Sequence, residues 1–305
     1  MNTSGMLTDY SVWARWPRYS PDMSKPTRMT FAGAGLQLAA DAWGDATAPP
    51  VLFLHGGGQT RHAWDSTARA VAAAGWHAVT LDLRGHGESD RSPDGDYSPD
   101  PMVADLRSVV AALSRPPVAV GASLGGLISL LAEGTEPLLA GLALVDVTPR
   151  LERTGMQRIV AFMTARPDGF ASLDEAADAV AAYLPHRPRP TDLSGLARNL
   201  RQTPAGRYVW HWDPALLSRS QAEFEHDVVR YTAAARRLTL PTLLVRGQRS
   251  DVLSEEGAQW FCTLAPHTRY VDVSGAGHMV AGDRNDAFTD AILEFLTEAL
   301  AASTG

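Results

Sequence analysis

From about residue 30 onward, short apolar segments rich in β-branched residues alternate with longer helical patterns, and this alternation constrains the fold most strongly. Several of the short segments are uninterrupted apolar runs, which is typical of parallel strands covered on both faces. Because helices separate the strands, right-handed crossovers predict one doubly wound, mostly parallel sheet of eight strands. The predicted strands are Thr27–Phe31, Leu36–Trp43, Val51–Leu54, Ala78–Leu83, Val118–Gly121, Gly141–Asp146, Thr242–Arg246 and Tyr270–Val273.

The alternation stops between about Thr148 and Leu240. This segment has no convincing buried strand, and it carries alanine-rich helical stretches such as Asp174–Tyr183. We therefore predict a second, mostly helical unit inserted into the α/β core. Outside it, the periodicity predicts helices near Arg61–Ala74, Pro101–Leu113, Leu124–Ala132, Glu255–Leu264 and Asn285–Ala301.

Composition limits the classes of function. The 305 residues are 45% apolar, which is enough for a sizeable core, and the formal net charge of −7 offers no basic surface for nucleic acid or anionic lipid. The single cysteine, Cys262, can form neither an internal disulfide nor a thiolate metal cage. Residues 1–25 lack the apolar core of a signal peptide or membrane anchor. We expect a cytoplasmic protein that binds neither nucleic acid nor membrane.

The segment Gly121-Ala-Ser-Leu-Gly125 matches the pattern G-x-S-x-G between a predicted strand and a predicted helix. A serine on such a tight turn has strained backbone angles, and the flanking glycines allow the close packing that the turn needs. The N-terminus of the following helix points its positive end at the site, where it would favour a developing oxyanion. This context predicts that Ser123 is a nucleophile.

A glycine-rich loop, His55-Gly-Gly-Gly58, directly follows the strand Val51–Leu54. In acyl-transfer enzymes of this architecture, a backbone N–H at this place binds the substrate oxyanion. We predict an oxyanion hole formed by the N–H groups of Gly57 and of Leu124, the residue after the nucleophile. A phosphate-binding role does not fit, because neither Walker-type nor G-x-G-x-x-G spacing occurs there.

A serine nucleophile needs a histidine base, and nine histidines are available. We predict that His278 is the base, because Ser274-Gly-Ala-Gly-His-Met279 lies between the last strand and the last helix, at the same sheet edge as Ser123. His55 and His86, each beside glycine, are interpreted as packing or hydrogen-bonding residues. The others are expected to be exposed: His62, His77, His186, His211, His226 and His267.

Two aspartates could orient the histidine, and both obey the chain order Ser, Asp, His. Asp251 follows the strand Leu243-Leu-Val-Arg-Gly247 by a short loop, and Asp146 ends the strand Leu142-Ala-Leu-Val-Asp146. We predict that Asp251 is the acid because its loop has the usual form of an acid loop. Asp146 then serves as a hinge or helix N-cap, and it is the alternative acid.

Four separated segments resemble the signatures of the α/β-hydrolase superfamily. They are His55-Gly-Gly-Gly58, Asp82-Leu-Arg-Gly-His-Gly-Glu-Ser89, Gly121-Ala-Ser-Leu-Gly-Gly126 and Gly275-Ala-Gly-His278. The resemblance implies an α/β-hydrolase core formed by residues 26–147 and 238–305, with residues 148–237 as a helical cap, or lid, over the catalytic pocket. Residues 1–25 form an N-terminal extension beyond the family's minimal pattern.

These residues predict a serine hydrolase that cleaves a carboxylic ester or a lactone through an acyl-enzyme, with a small-molecule ester as its partner and no cofactor or metal. In the cap, Tyr208-Val-Trp-His-Trp212 offers Trp210 and Trp212 for substrate binding, although the same aromatic residues could pack the cap onto the core. A cofactor-free perhydrolase or C–C bond hydrolase of the same fold is the alternative. A ligand-sensing, hydrolase-like receptor is a third possibility, and the oligomeric state is left open.

Overall fold

A computed structural model describes residues 25–283 and 285–303. The predicted N-terminal extension, residues 1–25, lies outside this part of the chain except for Lys25.

The eight predicted strands are present and form one sheet. The strands are β1 Thr27–Ala32, β2 Gln37–Trp43, β3 Pro50–Leu54, β4 His77–Leu81, β5 Val118–Ala122, β6 Gly141–Val145, β9 Thr242–Gly247 and β10 Arg269–Val273, with β7 and β8 elsewhere. Their order in the sheet is β1-β2-β4-β3-β5-β6-β9-β10. Strand β2 pairs antiparallel with β1 and β4, whereas the other neighbours are parallel. The predicted mostly parallel, doubly wound sheet is confirmed.

Helices cover both faces of this sheet. All the helices of the described residues, including those of the inserted segment, are α1 Asp65–Ala73, α2 Pro99–Ala111, α3 Leu124–Thr135, α4 Arg153–Thr164, α5 Leu173–Tyr183, α6 Ser194–Ala197, α7 Gln221–Ala235, α8 Glu255–Leu264, α9 Val280–Asp283 and α10 Asn285–Ser303. The pattern predicted as one helix at residues 61–74 is a short 3-10 helix, Arg61–Trp64, followed by α1.

The core consists of two apolar layers, one on each face of the sheet. Along β3, Leu52 and Leu54 face one layer, whereas Val51 and Phe53 face the other. Residues of α2, α3, α7 and α8 complete the first layer, and residues of α1 and α10 complete the second. Because all five residues of β3 are buried, an apolar side chain is needed at each position, which is why the strand was readable from sequence.

The segment between β6 and β9 contains α4 to α7 and a small hairpin that the sequence did not predict. The hairpin strands are β7 Leu200–Gln202 and β8 Tyr208–Trp210, which pair antiparallel. Each strand has only three residues: β7 contains two polar residues, and the apolar run of β8 is too short to indicate a strand. The last helix of the segment, α7, packs against α3 of the core, where Ala234 lies against Gly134.

None of the helices in the described part of the chain combines the length and the apolar composition that a membrane crossing requires.

Candidate active site

Ser123 lies between β5 and α3 on a strained turn. Its φ of +45° and ψ of −113° are unfavourable for a residue with a Cβ atom. The flanking glycines make the turn possible: a Cβ on Gly125 would lie 2.5 Å from the carbonyl oxygen of Leu54, and one on Gly121 would lie 2.5 Å from the amide nitrogen of Gly126. The Oγ of Ser123 makes no hydrogen bond with a described residue, so the half-exposed hydroxyl is presented at the carboxyl edge of the sheet.

Asp146 follows the neighbouring strand β6 and lies beside Ser123. The N–H of Ser123 donates to the carbonyl oxygen of Val145 at 3.2 Å, which ties the two strand ends together. Asp146 has a φ of +51°, and within the described residues Ser123 and Asp146 are the two non-glycine residues with positive φ. Backbone strain of this kind is concentrated at functional sites, because it persists only where the surrounding structure enforces it.

His278 pairs with Asp146. The Nδ1 atom of His278 lies 2.7 Å from a carboxylate oxygen of Asp146, whose side chain is fully buried. The same carboxylate accepts hydrogen bonds from the N–H of Gly247 at 2.9 Å and from the Oγ of Ser250 at 2.5 Å. Three donors compensate for burying the carboxylate. Sequence reasoning did not single out Ser250, although it lies in the loop expected to hold the acid.

The expected pairing of His278 with Asp251 is not present, which corrects the sequence-based choice of partner. The Asp251 side chain is 43% exposed and forms an ion pair at 2.8 Å with Arg158 of α4. The loop after β9 turns its serine, Ser250, toward Asp146 and leaves Asp251 facing the inserted segment. Sequence order could not distinguish the two aspartates, because both follow strands that end at the same sheet edge.

The glycine-rich loop lies directly against Ser123. A Cβ on Gly56 would approach the Cβ of Ser123 to 3.3 Å, whereas one on Gly57 would meet open space. The N–H of Gly56 donates to the side-chain oxygen of Gln59 at 3.0 Å, and the N–H of Gly58 donates to Nε2 of His86 at 3.1 Å. Among the described residues, the N–H groups of Gly57 and Leu124 have no acceptor. The two predicted oxyanion donors are therefore available.

Three buried histidines stand in a row behind this loop. The ring centroids of His55 and His86 are 4.8 Å apart, and those of His86 and His211 are 5.9 Å apart. Burial lowers the pKa of His55 and of His86 to about 3 and that of His211 to about 4, so all three are neutral at pH 7. The expectation that His211 and His77 are exposed was wrong, because both are buried.

The inserted segment reaches the glycine-rich loop through Met163 and Trp212: a Cβ on Gly58 would lie 3.1 Å from Met163 and 3.5 Å from Trp212. Trp212 stacks on Trp210 with ring centroids 4.9 Å apart, and Trp210 contacts two phenylalanines of the inserted segment. The two phenylalanines, Phe162 and Phe170, help line a cavity of about 290 Å³ between α4 and α5. The cavity lining is Arg158, Phe162, Ala165, Arg166, Phe170, Ala179, Ala182 and Tyr183.

In residues 25–283 and 285–303, no three or more histidine, cysteine, aspartate or glutamate side chains come together in an arrangement that could hold a metal ion.

Comparison with known proteins agrees with this fold. The family model for the alpha/beta hydrolase fold matches residues 49–284. Esterase Rv0045c of Mycobacterium tuberculosis is 34% identical over 264 residues, covering 84% of this chain and 85% of the relative. Its crystal structure matches with a TM-score of 0.73 at 32% identity, covering 92% of this chain and 93% of that one.

Two further relatives extend the comparison. The sn-1-specific diacylglycerol lipase ABHD11 of Mus musculus is 28% identical over 265 residues, covering 83% of this chain and 82% of the relative. The crystal structure of E-2-(acetamidomethylene)succinate hydrolase matches with a TM-score of 0.80 at 23% identity, covering 89% of this chain and 99% of that one, which shows a shared fold.

The eight-stranded, mostly parallel sheet and the match to the family model define the class of protein, an α/β hydrolase. The chain belongs to the α/β-hydrolase family and is an esterase-like member of it. Relatives named esterase, lipase and methylesterase confirm the sequence prediction of a carboxylic ester hydrolase.

Proposed function

We propose that this enzyme hydrolyses carboxylic esters, lactones included, through an acyl-enzyme on Ser123, with His278 as the base and Asp146 as the acid. One observation carries the proposal: the buried carboxylate of Asp146 accepts a hydrogen bond from Nδ1 of His278 at 2.7 Å, one strand away from the strained Ser123. The same observation favours Asp146 over Asp251.

The pairing suggests the following mechanism. Asp146 holds His278 as the tautomer with hydrogen on Nδ1, which leaves the lone pair of Nε2 to take the proton of Ser123. As that proton leaves, Oγ of Ser123 attacks the ester carbonyl carbon, and the carbonyl π electrons move to its oxygen. The imidazolium of His278 then protonates the departing alcohol. A water molecule, deprotonated by His278, then attacks the acyl carbon. The bond between this carbon and Oγ of Ser123 breaks, the imidazolium returns its proton to Oγ, and the carboxylic acid is released.

The N–H groups of Gly57 and Leu124 are proposed to bind the oxyanion of both tetrahedral intermediates. Both are without an acceptor in the described part of the chain, and the Leu124 N–H is at the N-terminus of α3, where the helix dipole favours negative charge. Such donors stabilise the transition state more than the ground state, so their contribution belongs to kcat.

Residues 148–237 are proposed to act as a cap that selects the substrate. Trp212 lies against the glycine-rich loop, and Trp210 links it to the aromatic wall of the cavity between α4 and α5. An apolar wall close to the oxyanion loop suits the hydrocarbon part of a small ester. Relatives named as an esterase and a diacylglycerol lipase support an ester substrate.

The test replaces the nucleophile. Ser123→Ala is expected to lower kcat for p-nitrophenyl butyrate by about 10⁴–10⁶, the usual cost of losing the serine of a triad. An aryl fluorophosphonate is expected to add one phosphonyl group to the wild-type protein, with loss of fluoride, and none to Ser123→Ala, as measured by intact-protein mass.

The matched control is Ser108→Ala in α2, whose Oγ donates to the carbonyl oxygen of Ala104. This variant should hydrolyse the ester and accept the fluorophosphonate like the wild type. Retention of more than a tenth of the activity by Ser123→Ala would rule out the acyl-enzyme mechanism.

A further inference from the structure

The ring of His55 is held as one defined tautomer. The N–H of Leu83 donates to Nε2 of His55 at 3.0 Å, so Nε2 carries the lone pair and Nδ1 carries the hydrogen. That hydrogen is donated to the carbonyl oxygen of Gly56, with Nδ1 and oxygen 2.8 Å apart. The ring is fully buried and its pKa is lowered to about 3, so both hydrogen bonds persist over the physiological pH range.

The carbonyl of Gly56 and the N–H of Gly57 belong to the same peptide group. This group is planar and trans, so the oxygen and the hydrogen point in opposite directions. The oxygen accepts from Nδ1–H of His55 and also from the N–H of Gln59 at 3.1 Å. These two hydrogen bonds fix the oxygen of the peptide group, and they therefore fix the Gly57 N–H in the opposite direction. The fixed direction matters because Gly56 and Gly57 have no Cβ atoms, and a rotation of this peptide would meet little steric resistance.

The peptide groups on either side are also held. The N–H of Gly56 donates to Gln59, and the N–H of Gly58 donates to His86. Of the three consecutive N–H groups, only that of Gly57 is without an acceptor among the described residues. The loop is therefore arranged to leave one donor available, and the side chain of His55, together with the N–H of Gln59, sets the direction of that donor.

We propose that His55 is a positioning residue for ester hydrolysis, whose Nδ1–H holds the Gly56–Gly57 peptide in the orientation that presents the Gly57 N–H to the oxyanion. This inference rests on the proposed function, because it assigns the peptide group a role in that reaction. Among the described residues, the hydrogen bonds of the His55 ring go to the backbone of Gly56 and Leu83 and not to Ser123. Losing one oxyanion donor costs about 10²–10³ in kcat, and KM is little affected because the bond is strongest in the transition state.

Two substitutions separate the two hydrogen bonds of the ring. In His55→Asn the side-chain amide ends near the position of Nδ1 and can still donate to the carbonyl of Gly56. In His55→Gln the amide reaches the position of Nε2, accepts from the Leu83 N–H and loses the donor to Gly56. We expect His55→Asn to keep kcat within about tenfold of the wild type and His55→Gln to lose about 10²–10³, with KM within about threefold in both.

The two His55 variants should rank in the opposite order when their stability, rather than their kcat, is measured. Urea unfolding should show His55→Asn as the less stable variant, because the buried N–H of Leu83 loses its acceptor. A merely structural role would make stability and kcat fall together. The matched control is His77→Gln in β4, another buried histidine, which should lower the stability and leave kcat unchanged.

Two readouts keep the inference testable if a variant does not fold or the substrate is unsuitable. In the wild type, ¹⁵N NMR should find the His55 ring protonated on Nδ1 alone, and protonation on Nε2 would overturn the inference. The rate at which an aryl fluorophosphonate modifies Ser123 should fall in His55→Gln and not in His55→Asn.

The outcomes distinguish the two proposals. The proposed function stands if the wild type hydrolyses esters and Ser123→Ala does not. In that case the inference about His55 fails if His55→Gln retains the wild-type kcat, or if kcat falls equally in His55→Gln and His55→Asn. If the wild type neither hydrolyses esters nor reacts at Ser123, both fail.

Discussion

At the scale of single residues, burial and hydrogen bonding distinguish the two aspartates that the sequence left as alternatives. Asp146 is fully buried and accepts from three donors, one of them on His278. Asp251 is 43% exposed and pairs with Arg158, which is itself 47% exposed. An exposed ion pair of this kind contributes about 0.2–1 kcal/mol, too little to hold a side chain in a catalytic position.

We predict that Asp146→Asn and Asp251→Asn have very different effects on turnover. The amide in Asp146→Asn would favour the wrong tautomer of His278 and would not stabilise its imidazolium, so kcat should fall by about 10⁴. Asp251→Asn should keep kcat within about threefold and lower the free energy of unfolding by at most about 1 kcal/mol. Steady-state kinetics and urea unfolding of both variants check this, and inactivation by Asp251→Asn alone would reverse the assignment.

At the scale of elements, helix α4 is seated on the loop that follows β9. Gly155, in the first turns of α4, packs against the backbone of Asp251 and Val252. Beyond this contact, the Arg158 guanidinium donates hydrogen bonds to the carboxylate of Asp251 and to the carbonyl oxygen of Tyr183. The second hydrogen bond joins α4 to α5. The same loop carries Ser250, so the position of α4 is coupled to the hydrogen bonds of Asp146.

We predict that Gly155→Ala lowers the free energy of unfolding by about 1–3 kcal/mol, because the new methyl group would overlap the backbone of Asp251. It should also lower kcat, since the displaced loop moves Ser250 away from Asp146. The control is Gly195→Ala in α6, where a Cβ atom meets nothing within 4 Å. There the helix preference of alanine should raise the free energy of unfolding by up to about 1 kcal/mol. Equal urea midpoints for the two variants would contradict the seating of α4.

At the scale of the whole molecule, the row of buried neutral histidines joins the core to the inserted segment. The N–H of Gly87 donates to Nδ1 of His211 at 2.6 Å, and the N–H of Asp213 donates to the carbonyl oxygen of Gly85 at 2.9 Å. Protonation of Nδ1 would remove the acceptor that Gly87 uses. The neutral state of His211 therefore preserves one of the hydrogen bonds that join the inserted segment to the loop that contains Gly85 and Gly87.

We predict that the free energy of unfolding decreases as the pH falls from about 6.5 to about 4. In this range the unfolded chain protonates His55, His86 and His211 near the ordinary pKa of 6.5, whereas in the folded protein their pKa values are about 3 to 4. The unfolded state binds more protons, so each histidine lowers stability by up to about 1.4 kcal/mol per pH unit.

Urea unfolding at pH 7.5, 6.5, 5.5 and 5.0 measures this slope. His211→Asn keeps an acceptor near Nδ1 for Gly87 and should make the slope shallower by one histidine. His226→Gln, on the exposed side of α7, should keep the wild-type slope. A stability that is constant from pH 7.5 to 5.0 would contradict the prediction.

By itself, the sequence determined the eight strands of the sheet and the sheet edge where Ser123 and His278 lie. Both are local properties: a strand buried on two faces needs an apolar residue at every position, and a serine on a tight turn needs glycine on both sides. The family follows from the same segments, since they form the edge of one sheet. The cap boundaries at residues 148 and 237 and the roles of Trp210 and Trp212 stay predictions.

The tertiary structure alone decided which aspartate meets His278. Asp146 directly follows β6, which lies between β5 and β9 in the sheet, so its carboxylate is enclosed by the loops after β9 and β10. Asp251 lies four residues beyond β9, where the chain has turned outward to Arg158. The burial of His77 and His211 and the short hairpin of β7 and β8 were likewise hidden from the sequence. Each depends on which distant segment covers a residue, and local patterns carry no record of such contacts.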